Sequence, residues 1–315
     1  MSDNRFYFDN GISANSAFAG NIVRNLKLAE SALEVALVAR DGWVAVEGDE
    51  ANRERAFRFL DELVRRTGGG RRLIQPDFEQ ILRAFRNRRE GDLQRLYAGK
   101  ITVGSKGREI MPRSIAQLKY LEAIRDKELI FGVGPAGTGK TYLAMAMAVG
   151  ELLKGNFQRI VLTRPAREAG ENLGFLPGSL EEKIMPYLRP LYDALYDMLD
   201  FEQAQALIQK NVIEVAPLAF MRGRTLNGAF IILDEAQNTT RDQMLMFLTR
   251  MGYSSKVVVT GDPSQNDLKQ DEFSGLRHAE ETLGGIDEIG FCRFTTQDVV
   301  RHALLEKIIN AYTEK

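Results

Sequence analysis

Between the apolar run Leu129–Val133 (LIFGV) and the helix-length apolar run Thr141–Leu153 stands GPAGTGKT, residues 134–141. It fits the pattern G-x-x-x-x-G-K-[ST] in the strand–loop–helix context that the pattern requires. Gly134, Gly137 and Gly139 let backbone N–H groups turn inward, and the helix N-terminus adds positive potential. Pro135, Ala136 and Thr138 complete the loop. Lys140 is placed to reach β- and γ-phosphates, and the Thr141 hydroxyl to hold Mg²⁺. The loop therefore predicts a nucleoside triphosphate, with ATP and Mg²⁺ as the ligands.

Around this loop, short apolar β-branched runs alternate with helical stretches: LIFGV, RIVLT, VIEVA, FIILD, KVVVT and IGFCRF. Buried parallel strands have this texture. The alternation predicts an α/β domain with a doubly wound parallel sheet over 112–315, its ligands at the carboxyl ends of the strands. The motifs fall at those ends. FIIL runs into Asp234 and Glu235 roughly 95 residues beyond the loop, where Asp234 is set to bind the metal and Glu235 to take a proton from attacking water. VVVTGDPSQ ends in a turn with Asp262 and Gln265, whose amide can sense a γ-phosphate or position water. RIVLT ends in Thr163-Arg164-Pro165.

The first 68 residues read as a small α+β module. A strand at Arg5–Asp9, a helix at Ala17–Ala32, strands at Glu34–Ala39 and Trp43–Glu47 about an Arg40-Asp41-Gly42 turn, and a helix at Ala51–Arg66 give the order βαββα. That order is similar to small RNA-binding folds of the KH type, although G-N-I-V-R at Gly20 lacks their GxxG clamp. A docking or oligomerisation module fits the same pattern. Gly68-Gly69-Gly70 opens a basic linker, 69–111, expected to carry helices and a small hairpin at Lys100–Val103 and Arg108–Met111. Eight arginines between Arg65 and Arg89 suit either a phosphate-backbone contact or a solvated, ion-paired helix face.

Composition narrows the class. Apolar residues are 44% and charged residues 27%, which excludes a disordered or low-complexity chain. No run approaches a membrane span, and the N-terminus has no signal-peptide pattern. One cysteine excludes an internal disulfide and fits a cytoplasmic location. Two histidines, far apart, argue against a zinc site. With net charge −1, nucleic-acid affinity would rest on local patches.

GPAGTGKT, TRPA, DEAQ and TGDPSQ, preceded by SIAQLKYLEAI, resemble the first RecA-like domain of superfamily 1 helicases. EAGENLGFLPGSLEEKIMPYLRPLYDAL, APLAFMRGRTLN and DEAQNTT are similar more closely to the PhoH-like family of bacterial ATPases, over roughly 100–314. The small module is similar, more loosely, to that of the family's cytoplasmic branch. The resemblance implies that Gln117 reads adenine, that Gln265 couples nucleotide state to a bound strand, and that Arg164 contacts single-stranded nucleic acid, with RNA the expected partner. Arg167 departs from the family pattern by adding a positive charge beside that path. Such helicases close ATP between two RecA-like domains, and the chain after Phe294 is too short for a second. The missing arginine then comes from Arg301, in cis or from a neighbouring subunit of a homo-oligomeric ring. Arg301 pairing with Asp298 on the surface is the simpler alternative. The expected function is an RNA-associated ATPase or helicase-like remodelling factor. The alternatives are a nucleotide-switched regulator or kinase without strand separation, or a protein whose small module docks a ribonuclease or the ribosome.

Overall fold

The structure is a computed structural model describing residues 4–8, 11–40, 42–67, 73–104, 107–165, 180–268, 273–299, 308 and 311–312, with backbone alone at 180–184. Arg167, Arg301 and most of the expected final helix lie outside the described residues. The chain divides into two compact units, Met1–Arg95 and Leu96–Lys315.

In the first unit, β1 (Arg5–Tyr7), β2 (Ala36–Arg40) and β3 (Trp43–Glu47) form an antiparallel sheet in the order β1-β3-β2. The helix expected over Ala17–Ala32 is two helices, α1 (Ala14–Ala17) and α2 (Ile22–Leu33). Ala19 and Gly20 both take left-handed backbone, at φ 53° and 76°. The Gly20 amide donates back to the Asn15 carbonyl at 2.7 Å, a helix stop that satisfies an orphan carbonyl. Glycine accepts this conformation at little cost, which is what the periodicity of the apolar residues conceals.

After α3 (Glu50–Thr67) comes α4 (Gln75–Arg86), inside the stretch expected to be a linker. Its Phe78, Ile81, Leu82 and Phe85 are buried. Phe78 packs on Phe18 and Phe59 with ring centroids 5.8 and 5.9 Å apart, and Phe85 on Phe59 at 5.5 Å. At its start, Gln75 exchanges amide hydrogen bonds with the buried Asn25 at 2.8 and 3.0 Å. The boundary expected near residue 68 therefore falls near residue 95, because α4 completes an aromatic core. Arg65 and Arg66 of the basic run pair with Asp61 and Glu62. Helix α5 (Gly91–Ala98) spans the division.

The second unit opens with the expected hairpin, β4 (Ile101–Val103) and β5 (Arg108–Ile110), then α6 (Ile115–Asp126). There follow β6 (Leu129–Val133), α7 (Lys140–Leu153), β7 (Arg159–Arg164), α8 (Leu180–Met198), α9 (Phe201–Gln209), β8 (Ile213–Pro217), β9 (Ala229–Leu233), α10 (Arg241–Leu248), β10 (Lys256–Gly261), α11 (Gly275–Leu283) and β11 (Ile289–Arg293). The last six strands form one parallel sheet in the order β11-β6-β10-β9-β7-β8. The central strands are buried on both faces, and alternate residues go to opposite cores. Ile130, Phe230, Ile232 and Val258 pack with α6, α7 and α8, while Phe131, Ile231, Leu233, Val257 and Val259 pack with α10 and α11. This is the doubly wound α/β sheet that the sequence predicts. Its strand order sets β10 between the loop-bearing β6 and the acid-bearing β9. The carboxyl ends of all three therefore meet at one place.

Candidate phosphate-binding site

At that meeting point the loop 134–139 leaves β6 and enters α7. Gly134 has φ 145°, and a Cβ there would stand 2.4 Å from the Phe294 carbonyl oxygen, so backbone and space both demand glycine. Gly139 has φ 80° and caps α7. The loop is pinned at three points. Thr138 Oγ1 donates to the Pro135 carbonyl at 2.9 Å, the Ala136 amide donates to Asp262 Oδ2 at 2.9 Å, and the Gly134 amide to the Gly261 carbonyl at 3.1 Å.

Lys140 is 7% exposed, and its ammonium donates to the Gly134 and Pro135 carbonyls at 2.6 and 2.8 Å. Burial pushes it below the ordinary lysine range, against the pull of Asp262, Asp234 and Glu235. A buried ammonium whose hydrogen bonds go to neutral loop oxygens can exchange them for the charged oxygens of a polyphosphate.

Asp234 follows the fully buried β9, and its amide donates to the Thr163 carbonyl of β7 at 2.9 Å. Its Oδ1 accepts from Thr141 Oγ1 at 2.6 Å and from Thr260 Oγ1 at 2.8 Å. The two threonine hydroxyls are 3.2 Å apart. One carboxylate and two hydroxyls, from α7, β9 and β10, thus converge. All are hard oxygen donors, the chemistry Mg²⁺ prefers. Among the described residues no group of three or more His, Cys, Asp or Glu could hold a metal alone. A carboxylate and a hydroxyl that can share a cation with substrate phosphates are a donor set that fits magnesium. Thr260 escapes sequence reasoning. It is an uncharged residue at the end of a strand run, and the order of the strands is what brings it to Asp234.

Glu235 takes left-handed backbone, φ 52° and ψ 41°, which costs a non-glycine residue on the order of 1 kcal/mol or more. The turn brings its carboxylate to two donors: Arg164 Nη2 meets Oε1 at 3.0 Å and Gln237 Nε2 meets Oε2 at 2.5 Å. Gln237 is buried, and its Oε1 accepts the Asp262 amide at 3.0 Å. Asp262 also accepts from the Ser264 amide and hydroxyl at 3.0 and 2.6 Å. Burial opposes ionisation of Asp262, but Ser264, the Ala136 amide and Lys140 together hold its carboxyl below the ordinary range. A continuous polar path therefore runs from Arg164 through Glu235, Gln237 and Asp262 to the loop.

Gln117, expected as an adenine reader, is 4% exposed under the loop. Its Nε2 donates to the Thr138 carbonyl at 2.9 Å and its Oε1 accepts the Arg113 amide at 2.6 Å. The amide braces the loop. Gln265 is exposed on the cleft rim. Lys140, Thr141, Asp234, Glu235, Asp262 and Gln265 all face one open cleft, joined by Tyr142. Tyr142 donates to Asp197 at 2.7 Å, and burial and that carboxylate push its phenol up to about 12. Among the described residues no helix is long and apolar enough to cross a membrane.

Residues 109–313 match the family described as PhoH: PhoH-like protein. A PhoH-like protein of Bacillus subtilis (strain 168) is 46% identical over 296 residues, 94% of this chain and 93% of the relative. A PhoH-like protein of Mycobacterium tuberculosis (strain ATCC 25618 / H37Rv) is 49% identical over 296 residues, 93% of this chain and 83% of the relative. Among solved structures, the large terminase of a thermophilic bacteriophage in complex with ADP aligns at TM-score 0.37 and 14% identity. That alignment covers 62% of this chain and 49% of the terminase chain, so the chain spans about half the length of that structure.

Proposed function

This chain belongs to the PhoH-like family, and from that premise we propose that it hydrolyses ATP with Mg²⁺ in the cleft at the ends of β6, β9 and β10, and couples turnover to single-stranded RNA. The observation that carries the catalytic part is the 2.6 Å contact between the Thr141 hydroxyl and the Asp234 carboxylate, at the mouth of a glycine loop with a buried lysine. A phosphate loop and an acid from another strand meet there and bring two hard oxygen donors together.

The amides of 134–139 and the α7 N-terminus cradle the phosphates. Lys140 exchanges its loop carbonyls for β- and γ-phosphate oxygens, recovering in ion pairing what its burial costs. Thr141 and Asp234 would hold Mg²⁺, which would supply charge neutralisation for the phosphates. Glu235 accepts a proton from a water whose oxygen attacks the γ-phosphorus. The bond from that phosphorus to the bridging oxygen breaks, and ADP leaves with its electron pair. Gln265, on the rim, senses the γ-phosphate. Arg301, in cis or from a neighbouring copy, stabilises the developing charge.

The RNA part rests on Arg164, which ends β7 beside Asp234 and Glu235, and on Arg167 just beyond it. Carboxyl ends of parallel strands are where such sheets receive ligands. The test is ATP turnover with and without single-stranded RNA, with Mg²⁺ or with a chelator. Chelation should abolish turnover, RNA should raise it, and the RNA effect should fade steeply with added salt. Turnover indifferent to the chelator would overturn the catalytic reading. Indifference to RNA would overturn the coupling.

A further inference from the structure

We propose that Arg164 is a positioning residue that restrains Glu235, and that a phosphodiester taking its guanidinium sets Glu235 free for hydrolysis. This rests on the preceding reading that Glu235 takes the proton from water.

Sequence separates the two residues by 71 positions, yet the topology sets them side by side. Strands β7 and β9 are parallel neighbours with Thr163 opposite Leu233, so the next residues of each emerge together at the sheet's edge. Arg164 Nη2 reaches Glu235 Oε1 at 3.0 Å, while its Nη1 leans to the Tyr187 carbonyl at 3.3 Å. Gln237 takes the other carboxylate oxygen. Each oxygen of the base thus carries a donor from the protein. Each oxygen keeps a second lone-pair site for water, but the ion pair with Arg164 fixes where those sites point, so the partner decides whether the base can reach an attacking water. Gln237 is buried and committed to Asp262 as well, so Arg164 is the partner that can leave.

The pair is built to be exchanged. Arg224 and Glu214 of the same unit form a two-bond fork at 2.6 and 2.7 Å, as a permanent guanidinium–carboxylate pair does. Arg164 and Glu235 share one bond, at 3.0 Å, with side chains 21% and 30% exposed. A phosphodiester arriving from solvent can reach that guanidinium and offers it two oxygens where Glu235 offers one. When Arg164 leaves, Glu235 keeps enough exposure to avoid the penalty of an unpaired buried charge. Polymer binding then opens the base without any movement of the phosphate loop.

The experiment uses the full chain, with phosphate release followed across ATP concentrations, with and without polyuridylate. Arg164→Ala and Arg164→Gln are compared with the native chain, the glutamine keeping a donor for the Tyr187 carbonyl if alanine fails to fold. Both should raise basal kcat about two- to fivefold, the population gained when a partly exposed ion pair is lost. KM for ATP should stay constant, and polyuridylate should add nothing further. Arg164→Lys, which keeps charge without the fork, should fall between native and alanine. Adding Glu235→Gln to Arg164→Ala should return turnover to the level of Glu235→Gln alone. Basal kcat equal to or below native in the folded variants overturns the restraint. A native chain that polyuridylate does not stimulate, alongside a raised basal rate in Arg164→Ala, leaves the restraint standing and overturns the RNA reading instead.

Discussion

The phosphate loop and the acidic end of β9 lie in one cleft, yet they are held in different ways. The loop is shaped largely within itself and then tied down at a few points: Gly134 and Gly139 take positive φ, Thr138 bonds to Pro135 and Lys140 to Gly134 and Pro135, while Asp262, Gly261 and Gln117 hold it from outside. The acidic end is fixed by its neighbours: Asp234 by Thr141 and Thr260, Glu235 by Arg164 and Gln237. A local device changes all at once when one residue changes. A network assembled from three strand ends and the start of a helix can be adjusted one contact at a time, which is where control of the rate can reside.

Lys140→Ala should break the comparison most strongly. It removes the buried ammonium proposed to reach the phosphates, so turnover should fall to background while the fold survives, because the side chain lines the cleft. Phosphate release with a thermal-unfolding control measures both, and near-native turnover in the folded variant would remove the loop from the account. Thr260→Val is expected to act next. It keeps shape but deletes a hydroxyl that donates to Asp234, a contact worth about 1 kcal/mol, or roughly fivefold. The Mg²⁺ concentration for half-maximal rate should rise by about that factor with the maximal rate little changed. No shift would mean that Thr260 is packing only.

The smallest effect concerns acid. The Asp262 carboxyl is held below its ordinary range in the folded chain, so it contributes stability that is complete above the ordinary carboxylate range, near about pH 4, and lost as pH falls through the folded value. Asp262→Asn should therefore lower Tm at neutral pH by a few degrees and flatten the acid limb of the Tm–pH curve. Parallel curves for the two proteins would contradict the assignment.

Legibility followed the same division. GPAGTGKT is eight consecutive residues, so the loop and the placing of Lys140 and Thr141 where it enters a helix could be read directly. Asp234 and Glu235 could be read because an apolar strand ends in them. Thr260 and the bond from Arg164 to Glu235 could not, because strand order creates both and no local pattern encodes it. Gln117 is expected to read adenine, and no local pattern tells that its amide bonds to the Thr138 carbonyl and the Arg113 amide. In the first unit, the stop at Ala19 and Gly20 and the packing of α4 were hidden for a related reason. Apolar periodicity reports which face is buried, and it is silent on where a chain turns back or which core a helix completes.

The central claim is that Asp234 holds the cation while Glu235 takes the proton, and Glu235→Gln tests it most directly. Glutamine keeps the size of the side chain and one of its two acceptor oxygens, and removes its basicity. Mg²⁺-dependent ATP binding and single-turnover hydrolysis should be measured on the same preparation, beside Asp234→Asn. The account predicts that Glu235→Gln binds Mg-ATP as the native chain does and loses hydrolysis by about two orders of magnitude or more, whereas Asp234→Asn loses the metal-dependent part of binding. Two variants that bind and hydrolyse alike, or a Glu235→Gln chain that hydrolyses at the native rate, would contradict it.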